Sequence, residues 1–140
     1  MAYDYDTLYG TRPNALGPPT QAFVDFFAQH QGHRLQVLDI GCGQGRDALF
    51  IARAGHAVVG VDLSPNGTRD LRNVAASEAL SIEGIVADIT TFTPEGQFDV
   101  LLIDRTLHMM NKVPRLTTLA RLIGCVKPGG WALIADEPAN

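Results

Sequence analysis

Two features of this sequence, a glycine-rich turn and a later aspartate, are suited to holding a ligand that contains a nucleoside. An apolar run leads through Asp39 into three glycines at alternate positions, Gly41, Gly43 and Gly45, and the next apolar run ends on Asp62. Glycine residues let a ligand approach the backbone closely, and a carboxylate at the end of the next strand can bind a ribose. The chemistry that this pattern predicts is the binding of a cofactor with a nucleoside.

The elements that must position these residues follow from the alternation of apolar runs with polar, periodic segments. Continuous apolar runs such as Val100–Ile103 are typical of a parallel sheet that is covered on both faces. The pattern predicts a doubly wound, Rossmann-like α/β domain, with a mostly parallel sheet of about five strands in the order 3-2-1-4-5 and helices on both faces. The predicted strands are 35–40, 57–61, 82–87, 98–103 and 130–135, with helices at 45–54, 65–79 and 113–125.

Local signals mark where several elements begin and end. Ser64-Pro65 is an N-cap with proline at the first helical position, and Gly55 is placed where a helix C′ glycine belongs. Thr20 is expected to cap a further helix near the N-terminus. Residues 1–19, rich in Tyr, Asp, Gly and Pro, are predicted to form an extended N-terminal arm.

Composition places the chain among globular proteins and disfavours several classes of partner. The 140 residues, 46% hydrophobic and 19% charged, are enough for one domain, 1–140, with its own core. A net charge of −4 argues against a nucleic-acid partner, and the two cysteines form no metal or disulfide pattern, so we expect neither nucleic acid nor metal. No targeting peptide is visible, and no apolar run approaches the ~20 residues of a membrane span. We therefore expect a cytoplasmic protein without membrane association.

The details of the turn favour one class of nucleoside cofactor. The dinucleotide fingerprint has its third glycine one position later, where this chain has Arg46. Asp39 also precedes the turn, and a carboxylate directed at a pyrophosphate would be unfavourable, whereas it suits an ammonium or sulfonium group. Asp62 would repel the 2′-phosphate of NADP. The turn therefore favours a cationic nucleoside cofactor over NAD.

Five motifs in order, across roughly residues 35–135, resemble a known enzyme family. They are Asp39 to Gly45, Asp62 at the end of the second strand, Ala87-Asp88-Ile89 after the third, Phe98-Asp-Val-Leu after a loop, and Val126-Lys-Pro-Gly-Gly130 before the fifth. This set is similar to class I S-adenosylmethionine-dependent methyltransferases, and the segment that begins at Gly45 resembles the tellurite-resistance and thiopurine/thiol branch. The resemblance implies S-adenosyl-L-methionine as cofactor, S-adenosyl-L-homocysteine as its product, and a small-molecule methyl acceptor.

The resemblance implies roles for the residues of the glycine turn. Gly41, Gly43 and Gly45 would line the methionine part of the cofactor, and Asp39 would reach its amino group through water. Cys42 lies among the residues expected at the cofactor, as a small side chain that fills space rather than as a nucleophile.

The resemblance also implies roles around the nucleoside. Asp62 would accept from both ribose hydroxyls, and Leu63 would pack on the adenine. Asp88 would accept from the adenine amino group, and the backbone of Ile89 would meet the ring edge. Asp104 begins a stretch that would border the methyl group and the substrate.

Four further residues are candidates for a role in catalysis or binding, and each could instead have an ordinary structural role. His108 is the candidate general base, because a histidine pKa can lie near neutrality, and its alternative is packing or a loop hydrogen bond. Arg105 is a candidate to bind an acidic acceptor or the cofactor carboxylate, and its alternative is a surface charge. Tyr9 and Arg12 are expected to fold over the cofactor, unless the arm is a solvated tail.

The chain stops after the fifth predicted strand, whereas members of this family usually continue with further strands. We expect the apolar strand 131–135 to be an uncovered edge, and a homodimer through that edge is one hypothesis. The predicted function is methyl transfer to a small molecule with a soft sulfur, selenium or tellurium acceptor or with an oxygen or nitrogen acceptor. Two alternatives stay open: a non-catalytic S-adenosylmethionine-binding module or partner subunit, and an NAD-dependent oxidoreductase.

Overall fold

The structure, a computed structural model, describes residues 4–136, with the side chain of His108 outside the described part. The helices are α1 (Tyr5–Thr11), α2 (Gln21–Ala28), α3 (Ala48–Arg53), α4 (Pro65–Ser77) and α5 (Lys112–Ile123). The strands are β1 (Gln36–Ile40), β2 (Ala57–Asp62), β3 (Ile82–Val86), β4 (Phe98–Asp104) and β5 (Val126–Ala135). A short 3-10 turn, Leu107–Met109, precedes α5.

The five strands form one sheet in the predicted order, β3-β2-β1-β4-β5, and all four neighbouring pairs are parallel. Asp39 in β1 lies opposite Gly60 of β2 and Leu102 of β4. Because the strands are parallel, their carboxyl ends meet at one edge of the sheet, where ligands bind in open α/β folds. The doubly wound architecture is confirmed.

Alternate residues of each strand pack on opposite faces of the sheet, and helices cover both faces as predicted. One face packs against α2, α3 and α4, through buried residues that include Phe27, Val37, Ile51, Leu71 and Leu102. The other face packs against α5, through buried residues that include Leu38, Ile40, Leu101, Ile103 and Leu122. The odd-numbered position of Asp39 therefore places its carboxyl on the same face as α3.

The prediction of an extended N-terminal arm is wrong, because residues 5–11 form α1. Asp4 caps this helix, since its Oδ1 accepts from the Thr7 N–H at 3.1 Å. Asp6 binds the N-terminus of α4, where the Asn66 N–H donates to its Oδ1 at 2.9 Å. A seven-residue helix is not stable alone in water even with this cap, so the tertiary contact with α4 is needed to stabilise it.

Several predicted boundaries shift for identifiable reasons. The Ser64 cap is confirmed, with its Oγ accepting from the Gly67 N–H at 3.0 Å, and Gly55 adopts the predicted positive φ after α3. Thr20 occupies the N-cap of α2, but its hydroxyl donates to Asp104 Oδ2 at 2.6 Å instead of capping the helix. The predicted helix 45–54 begins only at residue 48, because the preceding residues complete the glycine turn.

The edge strand β5 is longer than predicted, and one of its faces is covered. Its pairing with β4 begins at Val126, before the predicted start at residue 130. Trp131 contacts Phe26 and His30 of the α2 region, with ring centroids 5.4 and 4.8 Å apart. Ile134 is 41% exposed. The expectation of an uncovered edge therefore holds for the backbone edge and for Ile134, and Trp131, although it contacts the α2 region, is still 38% exposed.

Candidate functional site

A cavity of about 440 Å³ opens at the carboxyl ends of β1, β2, β3 and β4. The predicted site residues on its wall are Tyr9, Gly41, Asp62, Leu63, Asp88, Ile89, Asp104 and Arg105. Other residues on the wall include Tyr5, Leu16, Arg46, Thr106, Met109 and Met110. Residues that are far apart in the sequence therefore meet in one cavity at the predicted edge of the sheet.

The glycine turn brings bare backbone to this cavity. Gly41 and Gly43 have φ values of +78° and +53°, a region that side chains rarely adopt. A Cβ on Gly41 would overlap Thr106 Oγ1, and a Cβ on Gly43 would lie 2.6 Å from Tyr9 Oη. The Gly41 N–H donates to the carbonyl of Val61 at 2.7 Å, which ties the turn to β2. Neither position has room for a side chain.

Two other residues of the turn face the protein interior. A Cβ on Gly45 would lie 2.5 Å from Leu71 Cδ1, so this glycine lets α4 pack closely against the turn. Cys42 is 5% exposed, and its Sγ occupies the space beside Gly60, where a Cβ would lie 3.0 Å away. Both residues shape the turn from behind the cavity wall.

The Asp62 carboxylate is held at the end of β2 by two backbone donors. The Gly43 N–H donates to Oδ2 at 2.8 Å, and the Ser64 N–H donates to Oδ1 at 2.9 Å. Burial raises the pKa of Asp62, and these two hydrogen bonds oppose that effect. Because each carboxylate oxygen has two lone pairs, both oxygens can still accept from a ligand hydroxyl.

The loops after β2 and β3 form an apolar surface with a hydrogen-bond acceptor beside it. Leu63 is 68% exposed and lines the cavity together with Ile89. The loop that holds Ile89 is fixed from α5, since Arg121 donates to the Ile89 carbonyl at 2.8 Å. The side chain and N–H of Thr90 donate to Asp88 Oδ1 at 2.6 and 2.9 Å, which lowers the pKa of Asp88. Asp88 is therefore an ionised acceptor at neutral pH.

Three buried carboxyl groups, which we name the carboxyl cluster, lie at the ends of β1 and β4 and before α3. Asp39, Asp47 and Asp104 are 2%, 4% and 6% exposed. Asp104 Oδ2 accepts from Thr20 Oγ1 at 2.6 Å and from Arg46 at 2.9 Å. The Thr20 N–H donates to Asp47 Oδ1 at 3.4 Å, and Arg46 Nε lies 3.9 Å from Asp47 Oδ2. Arg46 and Thr20 thus join two of the three carboxyl groups.

Burial and mutual repulsion raise the pKa of two members of the cluster. The pKa of Asp39 is well above its usual range, because of burial first and then the charges of Asp47 and Asp104. Burial, hydrogen bonding with Asp104 and the Asp104 charge raise the pKa of Asp47 to about 7, against the opposing effect of Arg46. Asp39 Oδ2 and Asp104 Oδ1 are buried without a hydrogen-bond partner. This end of the site is therefore suited to a cation.

Beyond the cluster, the rim of the cavity combines a cation with apolar side chains. Arg105 has a φ of +55°, and its N–H donates to the Ala135 carbonyl at 2.6 Å. Its side chain is 48% exposed, with Nε 3.7 Å from Asp104 Oδ1. Met109 and Leu16 line the same cavity and are 41% and 37% exposed. These residues form a mixed surface of positive and apolar character.

The helix α1 closes one side of the cavity. Tyr9 is 5% exposed and stacks with Tyr5 at a centroid distance of 5.9 Å. Burial and the Asp62 charge raise the pKa of Tyr9, so its phenol is neutral. Arg12 does not lie at this site but lines a separate cavity of about 740 Å³, and its carbonyl accepts from Gln44 at 2.7 Å.

Sequence reasoning missed several residues of the site, and it named one, His108, whose side chain lies outside the described part. Arg46 and Asp47 were detectable, because two opposite charges directly follow the glycine turn. Thr20 and Thr106 gave no signal, since their contacts depend on how distant elements pack.

The described residues, 4–136, lack two kinds of feature. No group of three or more His, Cys, Asp or Glu in this range is arranged to hold a metal ion. None of the helices there is long and apolar enough to cross a membrane.

Comparison with known proteins identifies the family. A family model described as a methyltransferase domain matches residues 37–130. The chain is 33% identical over 131 residues to 2-heptyl-1-hydroxyquinolin-4(1H)-one methyltransferase of Mycobacteroides abscessus, covering 91% of this chain and 57% of that protein. It is 31% identical over 128 residues to ubiquinone biosynthesis O-methyltransferase of Burkholderia pseudomallei, covering 89% of this chain and 53% of that protein. The chain thus spans about half the length of these curated relatives.

Among solved structures, TehB from Haemophilus influenzae is similar with a TM-score of 0.73 and 24% identity, covering 81% of this chain and 39% of that chain. This likeness supports the fold. The family match covers more than half of the chain and includes the glycine turn and the four strand ends that form the cavity. The chain belongs to the class I S-adenosylmethionine-dependent methyltransferases.

Proposed function

We propose that this chain binds S-adenosylmethionine in the cavity at the strand ends and transfers its methyl group to a small molecule. The observation that carries the proposal is the meeting of Gly41, Asp62, Asp88 and Asp104, from four strand ends, on the wall of one cavity. Such convergence at the carboxyl edge of a parallel sheet is typical of nucleoside-binding sites. The family match favours methyl transfer over the alternative of an NAD-dependent oxidoreductase.

The residues of the cavity fit the parts of this cofactor. Asp62 has lone pairs for ribose hydroxyls, Leu63 and Ile89 offer an apolar surface for adenine, and Asp88 is an ionised acceptor beside them. Gly41, whose positive φ and close contact with Thr106 exclude a Cβ, presents bare backbone on the cavity wall. The unpartnered buried oxygens of the carboxyl cluster fit an ammonium or sulfonium group.

The chemistry supplied by the bound cofactor is a methyl group already activated on a sulfonium. The residues of the chain therefore contribute alignment, proximity and exclusion of water. Tyr5 and Tyr9 of α1, with Leu16 and Met109, cover the cavity and support this role. Arg105, half exposed at the rim, supports an acceptor that has an acidic or polar group on an apolar body.

The proposed acceptor is a small molecule with an oxygen, nitrogen or soft sulfur, selenium or tellurium nucleophile. The relatives named for a hydroxyquinolone and for ubiquinone biosynthesis support an oxygen acceptor. An oxygen acceptor must lose a proton, and His108 stays the proposed base, whereas a thiolate needs none. A His108→Ala variant should therefore lose turnover with a phenol and keep it with a thiol.

Calorimetry with S-adenosylmethionine, S-adenosylhomocysteine and NAD tests the proposal directly. We expect the two sulfur nucleosides to bind and NAD not to bind, and the reverse result would overturn the assignment. Turnover is then measured against a panel of phenols, amines, thiols and chalcogen oxyanions. Binding without turnover on any of them would favour a non-catalytic binding module or partner subunit.

We also propose that two chains pair through the free edge of β5. This strand ends the sheet, with β4 as its neighbour, and Ile134 on it is 41% exposed. An unpaired strand edge promotes association. Light scattering should give a dimer mass that falls to a monomer mass in an Ile134→Lys variant, and a monomeric wild type would refute the pairing. The cytoplasmic location stays a prediction.

A further inference from the structure

The carboxyl cluster is assembled by strand register and by the alternation of side chains. Asp39 lies level with Leu102 of β4. Asp104 is two residues further along β4, on the same face, so its carboxyl lies above Asp39 at the cavity. Asp47 approaches from the turn before α3. Three carboxyl groups that are at most 6% exposed therefore share one small volume.

The positive charge beside the cluster does not balance three carboxylates. Arg46 donates to Asp104 at 2.9 Å and lies 3.9 Å from Asp47. Arg105 is half exposed and approaches only Asp104, at 3.7 Å. One buried guanidinium and one half-exposed guanidinium thus face three buried acids.

Among the side chains that the structure describes, the other groups around the cluster add no compensating cation. Thr20, at the start of α2, contributes its hydroxyl and its N–H as donors. Two buried oxygens, Asp39 Oδ2 and Asp104 Oδ1, accept no hydrogen bond from a described residue, although Arg105 Nε lies 3.7 Å from Asp104 Oδ1. The remaining titratable groups near the cluster, among the described residues, are Asp62 from β2, the Cys42 thiol from the glycine turn and the Tyr9 phenol from α1.

We propose that the carboxyl cluster holds one shared proton in the ligand-free protein and releases it when the cationic end of the cofactor binds, so that Asp47 sets the preference of the site for a positively charged ligand. This inference rests on the proposed function, since it concerns the same cavity. It adds Asp47 as a positioning residue that acts through charge.

The physical reason is that neighbouring carboxyl groups with little access to water cannot all ionise unless a cation balances them. S-adenosylmethionine has two cationic groups, an ammonium and a sulfonium. When a cation occupies the site, an O–H bond of the cluster breaks, the proton passes to the solvent, and the new carboxylate faces the ligand cation. The proton belongs to the cluster as a whole rather than to one residue. No electron transfer and no further reactant is needed.

We expect the affinity for S-adenosylmethionine to differ between the wild type and Asp47→Asn by a factor that changes with pH. The asparagine keeps an oxygen that can accept from the Thr20 N–H but cannot ionise. With the cluster titrating near pH 7, the wild type should bind S-adenosylmethionine about ten times more tightly, relative to the variant, at pH 8 than at pH 6. Comparing the two proteins at each pH cancels the titration of the cofactor's own amino group.

A matched control and a measurement without ligand complete the experiment. Glu83→Gln removes one exposed charge on β3, and its affinity ratio to the wild type should not change with pH. Infrared spectroscopy of the ligand-free protein should show a protonated carboxyl band that disappears between pH 6 and pH 8 in the wild type. Calorimetry of the wild type in two buffers of different ionisation enthalpy should show about half a proton released per bound cofactor at pH 7. This measurement uses the wild type alone, so it does not depend on whether a variant folds.

The outcomes separate this inference from the proposed function. If S-adenosylmethionine binds but the affinity ratio is the same at both pH values and no proton is released, the inference is overturned and the proposed function stands. If the cofactor does not bind at either pH, the proposed function is overturned. In that case the infrared band still tests whether the ligand-free cluster holds a proton. If the band is absent at pH 6, the shared proton is refuted.

Discussion

Replacing Asp47 with asparagine should remove much of the loss of stability that the wild-type protein shows as the pH rises. Burial and the neighbouring Asp104 raise the pKa of Asp47 from 3.8 to about 7. Between these values the folded protein binds more protons than the unfolded chain, so its free energy of unfolding falls as the pH rises. At about 1.4 kcal/mol per pH unit the full loss is about 4 kcal/mol, of which about 3 kcal/mol falls between pH 5 and pH 8.

Urea unfolding followed by circular dichroism at pH 5, 6, 7 and 8 measures this effect. The free energy of unfolding of the Asp47→Asn variant should rise relative to the wild type by about 3 kcal/mol across this range, with unchanged m-values. The free energy of unfolding of the Glu83→Gln control should change with pH in the same way as that of the wild type. A difference between Asp47→Asn and wild type that is constant with pH would refute the account of the buried proton.

Three further predictions concern the glycine turn, the ribose carboxylate and the surface. Asp62→Asn should weaken S-adenosylmethionine binding by about 1–3 kcal/mol in calorimetry, and unchanged affinity would remove Asp62 from the site. Gly41→Ala should destabilise the fold by more than Gly55→Ala, because both have positive φ but only Gly41 lacks space for a Cβ; equal losses in urea unfolding would contradict this. Glu78→Gln should leave the urea midpoint close to that of the wild type, since its ion pair with Arg53 is half exposed and screened by solvent, and a clear fall in the midpoint would contradict this.

The strands and their order could be predicted because each strand is a local apolar run between turn signals. The run at Val100–Ile103 is fully buried in β4, as expected for a sheet covered on both faces. The short helix α1 could not be predicted, because it depends on Asp6 meeting the N-terminus of α4. Local propensity contains no information about that contact.

The nucleoside side of the candidate site followed from residues that directly end strands. Asp62, Leu63, Asp88 and Ile89 lie on the cavity wall because parallel strands end at the same edge of the sheet. The prediction that Arg12 lies over the same site depended on an extended arm, and the helical turn of α1 places it at a different cavity. The position of a strand end is a local property, whereas the path of an arm depends on what it packs against.

Residue types and spacing alone were enough to establish the α/β architecture, the glycine turn and the acidic strand ends, because hydrophobic periodicity and turn chemistry act over a few neighbouring residues. The tertiary structure decided which acids lie close enough together to interact. Asp39, Asp47 and Asp104 meet only through the register of β1 against β4 and the path of the turn before α3. Thr20 joins Asp47 to Asp104, which lies 84 residues from Thr20 in the sequence. Electrostatic coupling depends on distance in space and on burial, and folding alone sets both.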